Sequence, residues 1–496
     1  MVYCGKPSKA CGDCRTRRIK CDEATPACSQ CLRANRRCPG YRDPLDLLFR
    51  EQSEEVARKA SQKANDYKNN NRVRLKLTTP PDVLCFPAPS SVEEEGIRFL
   101  LDRYLKFPSF TPGDLWNLSL LRPPHKRPCN MLRCAMASVG LAALSNVRND
   151  ESLMVLARHN YISALRLTMT SLQSPLRAGL DQTLRSVLLL GLFELVVCDI
   201  SSKYCWASHF DGAAAILKLR GINGCAAVEE ATSLLLIWFQ IAISSIKRHS
   251  CLPPAMIDYP ESCRQYLSEL EHPACSLASI VEKFIPLWAS MGQERPIELT
   301  AAISSALDLE NELENWAKCL PASWAFKKVP CRRKIEDVGI GDIEHVYTNR
   351  FIANIWSWYR TVRILVNDLL IRLLMMRESV PEDYNAILDN SLVKVRQLAA
   401  EIYYSAPYFL EFFRTRTDIT RVHVHGAFTL LWPLEVVGST GGLSEAVYSW
   451  VVSTLRHIGQ CLGINMALEA VNQIARDSPD NWFSSSQSEG PCTCII

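Results

Sequence analysis

The amino-acid sequence predicts a mostly α protein in two unequal parts: a small module organised by six cysteines, then a large all-α helical domain. Three observations carry that expectation. Six of the 21 cysteines fall at fixed intervals near the N-terminus. Apolar residues over most of the remaining chain recur at helical spacing. Strand signals are scarce, with no alternating runs bounded by Asn-Gly turns.

The six cysteines are Cys11, Cys14, Cys21, Cys28, Cys31 and Cys38, written C-x2-C-x6-C-x6-C-x2-C-x6-C. The unit C-x2-C-x6-C is used twice. Thiolates two residues apart reach one metal, and the longer arm brings in a third. Zinc takes four sulfurs in a tetrahedron at about 2.3 Å. Six sulfurs therefore complete two tetrahedra only by sharing two, and the symmetric spacing makes Cys11 and Cys28 the natural bridges. Between Cys14 and Cys21 runs Arg15-Thr16-Arg17-Arg18-Ile19-Lys20, four cations in six residues. Arg15 to Lys20 is read as a short basic helix after the first cysteine pair, and a metal-built knob with a basic helix points to nucleic acid.

Charge placement agrees. The net charge of +4 hides an asymmetry: residues 1–42 hold ten Lys/Arg against three acids, a net +7, which leaves −3 for the other 454 residues. One basic arm on a near-neutral body is the pattern of a nucleic-acid binder.

The other 15 cysteines are mostly scattered singly, several in apolar stretches (Cys134, Cys198, Cys205, Cys461). Free cysteine behaves as a small buried hydrophobe, and such usage fits a reducing compartment. The opening MVYCGKPSK lacks the apolar core of a secretory signal. The longest uncharged run, Ala231 to Ile246, is shorter than the ~20 residues that a membrane span needs. In the closing CTCII, Cys494 lies one position too late for a prenylation box.

Residues 4–42 resemble the fungal binuclear zinc cluster family of transcription factors, the galactose-regulator type. The arm RTRRIKCDE (15–23), Pro26 between the halves and CPGY (38–41) carry the likeness. The resemblance implies two zinc ions held by the six cysteines, in a DNA-binding module ahead of a helical regulatory domain. By position in the motif, Arg17 and Arg18 read bases, while Lys9, Arg15 and Lys20 hold phosphates. The family commonly has lysine where Arg18 stands. Thr16 and Ile19 are expected to pack, and Pro26 to fix the turn between halves, with a cis bond allowed. The further implications are nuclear localisation, CGG-like triplets in double-stranded DNA that are often paired, and a homodimer. Contacts with the transcription machinery or co-regulators would serve control of RNA polymerase II genes of a metabolic or secondary-metabolite set.

The chain then divides into the module (1–42), a linker (43–90), the helical domain (91–480) and a tail (481–496). The linker opens on Leu45-Asp46-Leu47-Leu48-Phe49 and turns polar. Few strong heptad positions follow Phe49 and Val56, and Asn69-Asn70-Asn71 ends any helix, so a flexible, basic, partly helical linker is expected, with a weak dimerisation helix as the alternative. Pro80-Pro81 and Pro87-Ala88-Pro89 punctuate the start of the body.

Ser91 with Glu93, Glu94 and Glu95 reads as an N-cap and an acidic first turn. Helical runs follow near 127–147, 150–173, 179–198, 203–220, 228–248, 274–291, 296–317, 343–377, 384–405, 423–437 and 443–476, which implies packed layers of helices. Trp206, His209, Gly212, Ala213, Ile216, Leu219, Arg220 and Gly221 resemble a signature of the fungal-specific transcription factor region. DQTLRSVLLLGLFE (181–194), LLWPLE around Trp432 and IGQCLGI from Ile458 are similar to that region too. Small residues at 212–215 admit a close helix neighbour, and Gly221 is a helix stop.

Enzyme chemistry is not expected: the nucleotide, nucleophile-elbow and zinc-protease motifs are missing from the sequence. His423 and His425 are two apart and would face different ways on a helix. Trp356, Trp358 and Tyr359 form an aromatic cluster, read as core before ligand pocket. Two rival readings remain: a zinc-organised protein-interaction module without DNA specificity, and a metabolite-sensing helical protein gating DNA binding.

Overall fold

The computed structural model describes residues 10–40, 91–105, 129–173, 177–198, 205–221, 228–292, 298–330, 343–376, 382–410, 424–440 and 444–476. Lys9, the linker call, His423, the side chain of His425 and the C-terminal cysteines lie outside them. The chain splits into two compact units, Met1–Phe86 and Pro87–Ile496. In the first, two short helices, Gly12–Thr16 (α1) and Ser29–Arg33 (α2), surround buried cysteines.

The second unit opens at Val92–Leu100 (α3), continued by a π-helical turn over Leu101–Leu105. Ser91 caps α3 by accepting from the Glu94 N–H at 3.2 Å, and the three glutamates sit in the first turn, where the helix dipole favours them. Helix α3 crosses Asn130–Arg148 (α4) at two glycines. A Cβ on Gly140 would stand 1.9 Å from the Gly96 carbonyl oxygen, so only glycine allows this approach. Glu151–Gln173 (α5), Arg177–Val197 (α6) and Cys205–Arg220 (α7) follow, with α4 packed on α5 and α6, and α6 on α7. Gly221 ends α7 at φ +65°, as its residue type predicts. Gly191 of α6 lies against α7, where a Cβ would meet that of His209 at 3.3 Å.

Val228–Lys247 (α8) is buried along nearly its whole length, as an apolar helix without a polar face must be. It packs on α7, on Tyr259–Arg264 (α9) and on His272–Ser290 (α10). Leu299–Lys318 (α11), Arg350–Met375 (α12) and Glu382–Phe409 (α13) pack in sequence order. Val424–Ser439 (α14), Glu445–Leu462 (α15) and Asn465–Arg476 (α16) return the chain to α4 and α6. That return is tied by polar bonds: Asn146 Nδ2 donates to the carbonyls of Val196 at 2.9 Å and Gly463 at 2.8 Å, and Asn465 to that of Val197 at 3.1 Å.

Three expectations need correction. Residues 343–346 are not the start of a helix. Ile343–Val346 (β2) pairs antiparallel with Lys327–Pro330 (β1), Lys327 opposite Val346 and Pro330 opposite Ile343. The stretch buries Glu344, His345 and Tyr347, and Asn349 then starts α12 by accepting from the Ile352 N–H at 2.8 Å. The run 443–476 is two helices, because Gly463 takes φ +73° and closes α15. Of the cysteines expected inside, Cys205 and Cys461 are exposed and Cys134 and Cys198 half-buried; among the described cysteines outside the N-terminal module, Cys263 and Cys275 are buried.

The motif segments of the body converge. Trp206 is 6% exposed, with the Lys247 ammonium 6.0 Å from its ring centroid; that ammonium donates to Glu435 at 2.5 Å. Trp432 lies against Trp358, ring centroids 4.7 Å apart. His209, half-buried, meets the Tyr161 hydroxyl at 3.0 Å, and burial pulls its imidazole down to about 4.

Candidate metal centre and nucleic-acid interface

The two halves of the N-terminal module build the same turn. Cys11 caps α1 by accepting from the Cys14 N–H at 3.5 Å, and Cys28 caps α2 by accepting from that of Cys31 at 3.4 Å. Sulfur takes the role that a serine or aspartate oxygen usually plays. Each helix ends in a Schellman motif. In the first, Arg18 N–H donates to Arg15 C=O at 3.1 Å and Ile19 N–H to Cys14 C=O at 3.0 Å. In the second, Asn35 N–H donates to Leu32 C=O at 3.0 Å and Arg36 N–H to Cys31 C=O at 2.9 Å. Arg18 and Asn35 supply the left-handed residue, and Glu23 and Gly40 repeat the equivalence further on, at φ +55° and +84°.

This geometry corrects the expected helix. It runs from Gly12 to Thr16, not Arg15 to Lys20. The Cys11 cap starts it immediately after the first thiol, and the left-handed Arg18 ends it before the third.

The thiols form two groups of four, Cys11-Cys14-Cys21-Cys28 and Cys11-Cys28-Cys31-Cys38, each with all sulfurs within 4.8 Å of one another. Cys11 and Cys28 belong to both, the pair that the repeat singles out. The Sγ atoms of Cys11 and Cys28, Cys11 and Cys31, and Cys14 and Cys28 are each 3.7 Å apart. A zinc–sulfur tetrahedron with bonds of about 2.3 Å has edges of about 3.8 Å. Donor type, number and spacing therefore fit two metal ions. Burial pushes the Cys14 thiol up to about 12, whereas backbone hydrogen bonds from Cys28 and Gly40 draw that of Cys38 down to about 7. Buried thiols with no counter-charge resist ionisation, and a divalent cation is what would make such thiolates stable.

The cations are distributed around this centre. Arg17 closes α1, is exposed, and stands 3.8 Å from Asp13. Arg18 and Lys20 are exposed, with no ion pair among the described residues. Arg15 is half-buried, and its Nη1 has no hydrogen-bond partner. Thr16 and Ile19 do not pack as expected. Thr16 is exposed and donates to the Gly12 carbonyl at 3.0 Å, and Ile19 is 38% exposed. Five residues of helix leave no apolar face for them to bury. Pro26 is exposed and follows a cis bond from Thr25.

Two acids that sequence reasoning passed over join the halves. Asp22, from the first half, accepts from the Ser29 N–H at 3.1 Å and from the Ser29 hydroxyl, at the start of α2. The Ser29 hydroxyl is the main reason its carboxyl is held below the usual range. Asp13 lies 3.7 Å from Arg36 of the second half and accepts from Cys31 Sγ at 3.8 Å. The available signal was the one-sided charge: two aspartates in a basic segment beside two helix starts.

Residues 9–47 match the family described as the fungal Zn(2)-Cys(6) binuclear cluster domain, and residues 121–432 match that described as the fungal specific transcription factor domain. No curated protein and no solved structure matches the chain. No described helix is long and apolar enough to cross a membrane.

Proposed function

This chain belongs to the fungal Zn(2)-Cys(6) transcription factors, with a fungal specific transcription factor domain as its body, and from that premise we propose that it reads CGG-like triplets in the DNA major groove and regulates RNA polymerase II genes in the nucleus. Its two domains match non-catalytic DNA-binding and regulatory families. The observation that carries the reading is the pair of overlapping four-thiol groups beside the exposed Arg17-Arg18-Ile19-Lys20 arm.

Cys11, Cys14, Cys21 and Cys28 would hold one zinc, and Cys11, Cys28, Cys31 and Cys38 the other. Bound zinc neutralises thiolates and supplies folding energy to a module too small for an apolar core. The chain's own residues do the reading. Arg17 and Arg18 offer guanidinium forks that match guanine O6 and N7. Lys20 and the unsatisfied Arg15 Nη1 take phosphate oxygens, joined by Lys9, and these set affinity and its salt dependence. Arginine at position 18 keeps the charge of the family's usual lysine and adds a second donor in a fixed plane. A second copy reading a second triplet completes the site.

The test is zinc stoichiometry of the full chain together with selection from random duplexes. Two zincs per chain and enrichment of CGG-containing duplexes are expected. Zinc-loaded protein that enriches no sequence, and whose DNA affinity collapses with salt alike for all duplexes, would instead identify a zinc-organised interaction module.

A further inference from the structure

We propose that the groove between α11, α12 and α13 binds a small organic acid with a flat, unsaturated body, an aromatic or conjugated carboxylate. The groove encloses about 460 Å³, within the range of small-molecule sites. None of its residues belongs to the cysteine module, so the inference stands apart from DNA recognition.

Its apolar wall is aromatic. The rings of Phe326 and Trp356 stand 5.2 Å apart at 84°, and those of Trp356 and Tyr359 5.3 Å apart at 88°. The Trp356 N–H already donates to the Trp324 carbonyl at 2.9 Å, so this residue offers the groove a ring and no donor. Such walls favour a flat body.

Beneath the wall lies a cation. Arg360 is fully buried, its guanidinium 5.1 Å from the Phe326 centroid and 5.2 Å from that of Trp356. Glu401 holds it at 3.0 Å and the Tyr347 hydroxyl at 2.7 Å, while Nη2 has no partner. A buried positive charge already facing both rings lowers what a cationic ligand would gain from them.

The rim decides the sign of the ligand. Glu310, 5% exposed on its side chain, accepts from Arg363 at 2.6 Å and Asn367 at 2.8 Å as well as from Lys394 at 2.8 Å. Glu314 is shared in the same way, by Lys318 at 2.5 Å and Arg363 at 3.3 Å. Arg363 therefore keeps both acids paired if either lysine leaves. The reverse holds only for Glu314, which is 36% exposed and can turn away while Glu310 keeps Arg363 paired; Glu310 and Glu401 are the main partners of the half-buried Arg363 and the buried Arg360 and stay committed to them. Lys318 is 65% exposed and Lys394 23% exposed, so both can move. The groove thus has two cations to give against one acid, over an aromatic wall, and a carboxylate is the group that such ammoniums recognise.

Titration calorimetry and thermal shift on the full chain, without DNA, test this with cinnamate, 3-phenylpropionate and indole-3-acetate. Indole-3-acetamide and tryptamine are the neutral and cationic counterparts. At least one acid should bind, about tenfold or more tighter than the amide, and tryptamine should not bind. Lys318→Gln and Lys394→Gln should each weaken acid binding several-fold. Their unliganded melting temperatures separate weakened binding from a damaged fold. If no acid binds, if amide or amine binds as well as the acid, or if both variants bind like the parent, the proposal is overturned.

Discussion

Arg18 and Asn35 hold the same backbone position in two copies of one turn, at φ +54° and +52°. Asparagine tolerates the left-handed region; arginine has no side-chain chemistry that favours it. An arginine kept in a conformation that costs about 1 kcal/mol relative to glycine is a residue to test for a role beyond folding.

Arg18→Gly and Arg18→Ala separate that role from the strain. Both should lose about 1–3 kcal/mol of discrimination at one base position, read by competition between cognate and mismatched duplexes. Only Arg18→Gly should also stabilise the zinc-loaded module, by up to about 1 kcal/mol less the extra freedom of the unfolded chain. Lys20→Ala should weaken all duplexes alike and reduce the salt slope by about one. Should Arg18→Ala behave like Lys20→Ala, the assignment of base readout is wrong.

Shared thiols and single ones should differ in metal content. Cys11 lies in both four-thiol groups and Cys38 in one. Zinc per chain, measured on purified full-length variants, should fall to near zero for Cys11→Ser and to about one for Cys38→Ser, given four-coordinate sites. Equal zinc in the two variants would count against sharing.

The Lys247–Glu435 pair, 10% and 6% exposed, should show the asymmetry of buried ions. Lys247→Met alone should cost about 3–5 kcal/mol by leaving Glu435 buried and unpaired, and adding Glu435→Leu should recover most of that loss. Urea denaturation of the single and double variants measures it; a double variant no better than the single one would mean that the lysine acts through packing on Trp206.

Glu282 gives the body a pH dependence. Burial, and then the charge of Asp258, push its carboxyl up to about 7, and its Oε1 is buried without a partner. A carboxyl raised on folding stabilises most below its unfolded value and loses that contribution as pH rises through the folded one. Glu282→Gln should therefore raise stability above pH 7, by about 1 kcal/mol once solvent screening of a half-exposed group is allowed for. Melting temperatures from pH 5 to 8 should show a shallower slope for the variant; parallel profiles would remove Glu282 as the cause.

The metal centre was legible because ligand spacing is written directly in the chain, and six thiols at those intervals admit few other arrangements. The extent of α1 was not, because its cap is a sulfur and its end is an arginine, neither of which belongs to the usual vocabulary of helix boundaries. In the body, Ser91 and Gly221 marked helix ends by residue type alone. The hairpin of Lys327–Pro330 with Ile343–Val346 escaped because four-residue strands leave almost no period to detect. The groove beside Trp356 escaped in part because its meaning depends on which cations share Glu310, and sharing is a tertiary fact.

Helix, cap and turn recur at an offset of 17 residues with one backbone trace, so the fold of the module does not by itself distinguish its two ends. The two copies differ in the side chains mounted on the repeat: Arg15, Arg17, Arg18 and Lys20 on one stand where the other has Leu32, Ala34, Asn35 and Arg37. Exchanging those four pairs would move the basic arm that we propose to read DNA from one copy of the turn to the other. Recognition in such a module can be rewritten without renegotiating its architecture.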